Sequence, residues 1–490
     1  MPLPDKPWIK SDKQADPKES TTRYTRSPIA ICLLIKNSNQ DGATKIHYRD
    51  IGDYLSREEK LDVLTLEQSL EGTEWEAISP NSHGDWINHR DDTYDTYQPI
   101  GDKATKGKPD TLGVFETYSS GLKTNRDAWC YNFSRAAVQD NMARMVQFYN
   151  EQLAFATPEM DSRKISWNRS LLSDHAKKVR HSFSPDLIVG ATDRPFTRQF
   201  AYFDRAMNDM VYQLPKIFPT QLHRNLAITL PGPGRTNGQA LVMDSLPDLT
   251  SQIIQAFPLY TYRPVPEGEL AFGAEDEVVI DGYFRRDNIT DGTLATYRGF
   301  YEEPKMAKED IFFYVYGLLH SRDYKETYKS DLMKMLPRIP KVKDFWGFST
   351  AGRQLAVLHL NYENVEPYPL DEIVKGEPAS DDYDFYRVNK LSFGARKDRS
   401  NIIYNQGITL AGIPDDAYEY QVNGKSALEW IIDRYQVTTH KDSQLTNDPN
   451  DYCREVGDPR YILDLIKRIV TVSVETMKIV EQLPPLEIIE

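Results

Sequence analysis

The sequence predicts an α+β fold built from more than one domain. Three observations carry this reading. A chain of 490 residues exceeds what a single hydrophobic core organises. Short strand-like runs broken by Gly, Pro and Asn dominate residues 161–300, and apolar residues at helical spacing return after residue 310 and again at the C-terminal end.

The elements follow in order. Residues 1–27 show no hydrophobic periodicity and are expected to be a disordered lead-in. Ile29 to Ile35 is a continuous apolar run of strand length, and Lys45 to Tyr48 reads as a second strand after the turn-forming Asn37–Gly42. Together they predict a hairpin whose first strand is buried on both faces. Ser56 followed by Glu59 is a capping-box pattern for a helix over 56–70. Ser134 opens a second helix in which Val138, Met142, Met145, Val146, Tyr149 and Leu153 share one face. Helices are expected at 310–320 and 323–336, the second ended by Pro337 and Pro340. A last one, 459–481, turns Ile462, Leu465, Ile466, Ile469 and Val470 inward.

Composition bounds the function. Hydrophobic residues make up 40% and charged residues 27%, ordinary values for a folded protein. The 29 Tyr and 7 Trp supply flat amphipathic side chains that suit cores and binding surfaces alike. Cys32, Cys130 and Cys453 form no CxxC pair, which fits a reducing, cytoplasmic setting. The N-terminal residues lack a signal-peptide core and no run of 18 apolar residues occurs, so no membrane span is expected. A net charge of -14 argues against a generic polyanion binder. Residues 161–240 nevertheless hold 12 Lys and Arg against 6 Asp, a local excess able to meet phosphates or to be solvated scatter.

Few motifs carry chemistry. Gly232-Pro-Gly234-Arg235-Thr-Asn237-Gly238 has its third glycine one residue late for a dinucleotide loop and no βαβ unit around it. It reads as a loop between strands from which Arg235 and Asn237 reach outward. Gly424-Lys425-Ser426 ends like a P-loop, but Glu419 replaces the upstream glycine, so a turn leading into a helix is the better reading. The nine His include no pair at helical metal spacing, Asp448 to Asp451 lacks the rest of a calcium loop, and no G-x-S-x-G elbow is present. The richest polar and aromatic segment is Asp193 to Arg205, continuing through Asn208 to Lys216. Arginine forks read guanine edges, Asn reads adenine and Lys holds phosphate, so Arg194, Arg198, Tyr202, Asn208 and Lys216 join Arg235 and Asn237 as candidate DNA contacts. An Arg and Asp ladder on a solvated sheet has the same appearance.

Residues 418–485, from Tyr418-Glu-Tyr-Gln through Asn447-Asp-Pro-Asn-Asp-Tyr452 to Val480-Glu-Gln-Leu-Pro-Pro485, resemble the Type ISP restriction-modification enzymes. In those single polypeptides a similar stretch closes the DNA-specificity domain, which follows an adenine methyltransferase and, further upstream, a helicase and a nuclease. Other blocks occur in the family's order: Ser27 to Lys36, His83 to Asn88, Asp91 to Tyr97, Thr124 to Trp129, Arg194 to Tyr212, Phe257 to Tyr260 and Phe313 to Pro340.

The resemblance implies that residues 28–125 are the end of a methyltransferase domain whose strand pair forms a Rossmann-like sheet edge. Residues 126–160 would be a connecting helix, and 161–490 a mixed, β-rich target-recognition domain with C-terminal helices. It implies double-stranded DNA as a partner, together with a methyltransferase or helicase–nuclease polypeptide. The family's Gly-rich S-adenosylmethionine loop and Asn-Pro-Pro-Tyr type motif are absent from this sequence, and the nearest imitation, Asn447-Asp448-Pro449-Asn450, departs from the motif. The expectation is therefore a specificity module in phage defence with no catalytic residue and no cofactor of its own, S-adenosylmethionine belonging to a complete enzyme. Its principal rival is an interaction scaffold without DNA binding. A carbohydrate-active enzyme is a more distant rival, because no carboxylate pair is identifiable.

Overall fold

A computed structural model describes residues 31–36, 44–52, 55–233, 240–249, 254–266, 278–376, 382–395 and 398–489. The chain divides into two compact units, Met1–Pro80 and Asn81–Glu490, and the structure is a mixture of helices and several small, mostly antiparallel sheets.

In the first unit, β1 (Ile46–Tyr48) pairs antiparallel with β2 (Glu76–Ile78). Among the described residues there is no hairpin of the kind expected between residues 29–35 and 45–48. Residues 31–36 carry no strand, and Ile31, Leu34 and Ile35 are more than 80% exposed. An apolar run is a strand only where a neighbouring strand and a covering layer exist, and the described residues supply neither. Helix α1 (Arg57–Glu67) has the anticipated capping box, with Ser56 Oγ accepting from Glu59 N at 3.2 Å and Ser56 N donating to Glu59 at 2.6 Å. None of its residues is buried, and Leu61, Leu64 and Leu66 face solvent.

The second unit holds three cores. One joins Tyr94, Ile100 and Phe115 to two antiparallel helices, α4 (Lys308–Leu318) and α5 (Phe345–Leu360). Residues 94–118, expected to close a methyltransferase domain, therefore pack within the second unit. The next core is built around α2 (Arg135–Gln152), whose Val138, Met142, Met145, Val146 and Tyr149 are buried as the stripe predicts. α3 (Arg169–Ala176) follows it in sequence. The C-terminal core gathers α6 (Ala427–Arg434), α7 (Pro449–Val456) and the 21-residue α8 (Tyr461–Glu481). The helix expected over 323–336 breaks at Tyr328 into two short pieces.

Two four-stranded sheets connect these cores. The strands in chain order are β3 (Ser119–Ser120), β4 (Tyr131–Asn132), β5 (Ile188–Arg194), β6 (Thr197–Tyr202), β7 (Ala227–Pro231), β8 (Leu241–Met243), β9 (Leu246–Pro247) and β10 (Ile254–Pro258). One sheet runs β9-β5-β6-β4 and the other β3-β10-β7-β8. The β5–β6 hairpin carries the polar and aromatic segment that begins at Asp193. Its register shifts between Thr192 and Arg194, so Asp193 sits in a bulge that re-aims side chains locally.

Candidate nucleic-acid interface

The hairpin does not present its arginines as a solvated ladder. Phe196 packs into the C-terminal core while Ala201 and Tyr202 pack into the α2 core, so the strand is covered on both faces. Arg194 Nη1 donates to Asp248 at 2.7 Å and to Asp193 at 3.1 Å, and the other Asp193 oxygen accepts from Arg434 at 2.5 Å. This chain of two arginines and two aspartates ties the bulge to α6. Arg198 lies between Glu363, at 3.3 Å, and Asp244, at 3.5 Å; Glu363 also accepts from the Tyr461 hydroxyl at 2.6 Å.

Tyr202 is fully buried. Its hydroxyl accepts from Ser184 N at 3.2 Å, its ring stacks on Phe183, and burial pushes its phenol up to about 12. Asn208 is also buried, donating to Tyr202 O at 3.1 Å and accepting from Asp204 N at 2.9 Å. Arg194, Tyr202 and Asn208 thus make contacts that hold the hairpin within the fold. Polar residues alternating along a strand look the same whether water or a buried ion pair receives them. Arg235 and Asn237 lie outside the described residues.

Lys216 alone among these candidates is exposed and forms no ion pair with a carboxylate among the described residues. It is close enough to Lys106 that, after burial, its charge is the second cause pushing the Lys106 amine down. The Lys106 Nζ stands 4.0 Å above the Tyr118 ring centroid, and the loop carrying it is pinned by Asp102 accepting from Thr105 N and Oγ1 at 2.8 and 2.6 Å. The two lysine charges repel one another, and an incoming phosphate relieves that repulsion. The sequence signal for Lys106 is the run Lys103-Ala-Thr-Lys106-Gly-Lys108, which lies outside the basic region of residues 161–240.

Arg169, Lys177 and Arg180 are further exposed basic residues. Arg180 and His181 also line an open groove of about 540 Å³ beside α2, where the Asn150 side chain holds the His181 backbone at both N and O. No group of three or more metal-ligating side chains occurs among the described residues.

Comparison with known proteins decides the family. A family model described as the Type ISP C-terminal specificity domain matches residues 113–465. The chain belongs to this Type ISP family. Among solved structures, the ATP-dependent Type ISP restriction-modification enzyme LlaBIII bound to DNA is 35% identical with a TM-score of 0.79, covering 93% of this chain and 28% of that one. A nuclease-deletion mutant of the Type ISP enzyme LlaGI, in complex with a DNA substrate mimic, is 36% identical with a TM-score of 0.75 over 91% of this chain and 33% of that one. A DrdV–DNA complex is 29% identical with a TM-score of 0.76, covering 91% and 44%. The Type ISP chain described here therefore spans less than half of each of these proteins. No curated protein matches it.

The residues that imitate a catalytic motif are consumed by the Type ISP fold. Asn447 Oδ1 accepts from Phe133 N at 2.9 Å, Asp448 caps α7 through Asn450 N, and Asn450 Nδ2 donates to Val388 O at 2.7 Å. These side chains are bound within the chain. No helix among the described residues is long and apolar enough to cross a membrane.

Proposed function

We propose that this chain recognises double-stranded DNA as the specificity module of a Type ISP restriction-modification system, directing adenine-N6 methylation and cleavage carried out by other polypeptide domains. The observation that carries the reading is the match over nine-tenths of the chain to two Type ISP enzymes bound to DNA or a DNA mimic. The unneutralised Lys106–Lys216 pair supports a backbone-phosphate contact on the same unit. The S-adenosylmethionine chemistry would belong to the partner, consistent with a chain whose nearest motif residues are occupied in its own fold. The exposed run Ile31–Ile35 and the uncovered leucines of α1 support a role for the beginning of residues 28–125, as far as α1, in completing a Rossmann-like sheet edge of that methyltransferase. Such a system works in the cytoplasm.

One observation favours a second reading, an interaction scaffold without DNA binding: the net charge of -14, with Arg194 and Arg198 neutralised by the chain's own carboxylates. Selection from a pool of randomised duplexes at two salt concentrations, followed by sequencing, separates the two. Enrichment of one short sequence supports a specificity module. A folded protein that retains no DNA even at low salt overturns it in favour of the scaffold.

A further inference from the structure

Arg126 is 3% exposed, and among the described residues none of its three guanidinium nitrogens has a hydrogen-bond partner. A guanidinium keeps its charge under all ordinary conditions, and an uncompensated buried charge is among the costliest groups a fold can hold. Three partly buried arginines of this unit show the usual solution: Arg194 reaches Asp193 and Asp248, Arg434 reaches Asp193, and Arg198 reaches Glu363.

The groups around Arg126 do not offer the same solution. Asp209, whose charge acts on it, is engaged by Lys123 at 3.0 Å and by Asn168 at 3.4 Å. Asp127 is exposed and takes the Thr124 hydroxyl. Cys130 is fully buried, and burial pushes its thiol up to about 12, so it brings no negative charge near neutrality. The nearby Asn208 amide is a further donor, pointing at the Cys130 sulfur at 3.7 Å. The site is rich in donors and short of acceptors.

The Arg126 backbone is held at both ends. Its N donates to Thr124 Oγ1 at 3.0 Å, and its O accepts from Trp129 N and Cys130 N at 2.8 and 3.1 Å. The neighbouring Asn125 adopts a left-handed φ of 55°, which fixes the turn that directs Arg126 inward.

We propose that Arg126 is an internal oxyanion site that takes one phosphate-class anion, supplied either as free phosphate or as a backbone phosphate of bound DNA. The fork of Nη1 and Nη2 suits two oxygens of a tetrahedral anion. The second source rests on the DNA-recognition reading, whereas the first does not.

Equilibrium dialysis of the full chain against radiolabelled inorganic phosphate, at constant ionic strength in chloride, tests the site without DNA. One saturable phosphate per chain, lost in Arg126→Met with an unchanged circular dichroism spectrum, is the expected result. Saturation that is absent, or unaltered in Arg126→Met, overturns the proposal. Should Arg126→Met fail to fold, arginine-selective 15N labelling of the unsubstituted chain with Arg126→Lys for assignment replaces it; an Arg126 Nε–H resonance unmoved by phosphate overturns the site equally. Adding duplex DNA then identifies the source. Displacement of the labelled phosphate by DNA supports a backbone phosphate at Arg126, and its retention beside bound DNA supports a free anion.

Discussion

Glu455 caps a helix whose N-cap residue lies 321 residues before it: its Oε1 accepts from the Ser134 hydroxyl at 2.6 Å. The same carboxylate takes Arg135 N at 3.1 Å and Ala136 N at 3.3 Å, so α7 supplies acceptors for the free amides of α2 and places negative charge at its positive end. Ser134 meanwhile caps Ala137 N at 3.0 Å. Glu455→Ala is expected to cost about 1–2 kcal/mol, the range for removing a helix cap, and Glu455→Gln less because its amide oxygen still accepts. Urea midpoints of the two variants against the unsubstituted chain measure this.

Asp193 is the shared acceptor for Arg194 and Arg434, and it is only 7% exposed. Replacing it with Ala leaves Arg434 without its carboxylate and Arg194 with Asp248 alone, a destabilisation expected to reach roughly 3–5 kcal/mol by analogy with broken buried pairs. Arg194→Ala should destabilise for the same reason. Any fall in DNA binding by Arg194→Ala is then expected to come with a lowered melting temperature, which thermal melting run beside the binding assay detects.

That distinction marks where the sequence stops being legible. The stripe from Val138 to Tyr149 and the Ser134 and Ser56 caps are readable because each depends on residues three or four apart. The environment of Arg194 depends on Asp248 and, through Asp193, on Arg434, distances along the chain that no local pattern encodes. For the same reason the apolar run Ile31–Ile35 can be read as a strand, while its exposure cannot. Lys216 is recognisable as a phosphate-type residue, but its pairing with Lys106 emerges only once the 102–113 loop and the 214–216 turn are in place.

Lys106 and Lys216 give the DNA reading its sharpest residue-level consequence. Removing one phosphate-binding lysine should lower the slope of log affinity against log salt by about 1 and weaken all sequences alike. Lys106→Ala and Lys216→Ala are expected to do this with little change in melting temperature, since neither makes an ion pair within the described residues. Binding isotherms at several salt concentrations read the slope. A changed sequence preference, with the slope retained, would count against a backbone role for the pair.

The crossing of α4 and α5 is set by two glycines. A Cβ on Gly352 would lie 1.9 Å from Phe313 O, and one on Gly317 would lie 2.1 Å from Phe348 O. Both obstacles are backbone atoms, which a side-chain rotation cannot move. Gly352→Ala is expected to force the helices apart and destabilise by at least the ~1–3 kcal/mol typical of overpacking. Gly299, where an added Cβ would meet open space, provides the contrast: Gly299→Ala inside the helix Asp291–Tyr301 should be neutral or stabilising. Guanidinium unfolding of the two variants tests the difference.

His320 and His359 should make the C-terminal half of the second unit acid-sensitive. The His320 Nδ1 lies 2.8 Å from Tyr316 O, a pure acceptor, so Nδ1 carries the proton and Nε2 is left buried without a partner among the described residues. His359 lies between the Tyr316 hydroxyl at 2.6 Å and Thr476 Oγ1 at 2.8 Å. Burial pushes His320 down to about 3, with Lys325 adding to the effect, and pushes His359 down as well. Both therefore have folded values below the unfolded value of about 6.5, and the unfolded chain binds more protons in the interval between. Their contribution to stability is fully present above about pH 6.5 and is lost as pH falls toward about 3. Urea midpoints should drop between about pH 7.5 and 5.5, above the range where most carboxylates titrate. His320→Asn keeps a donor for Tyr316 O but cannot take up a proton, so its midpoint should depend less on pH even if lower throughout. An unchanged pH dependence in that variant would remove His320 as a source of the acid sensitivity.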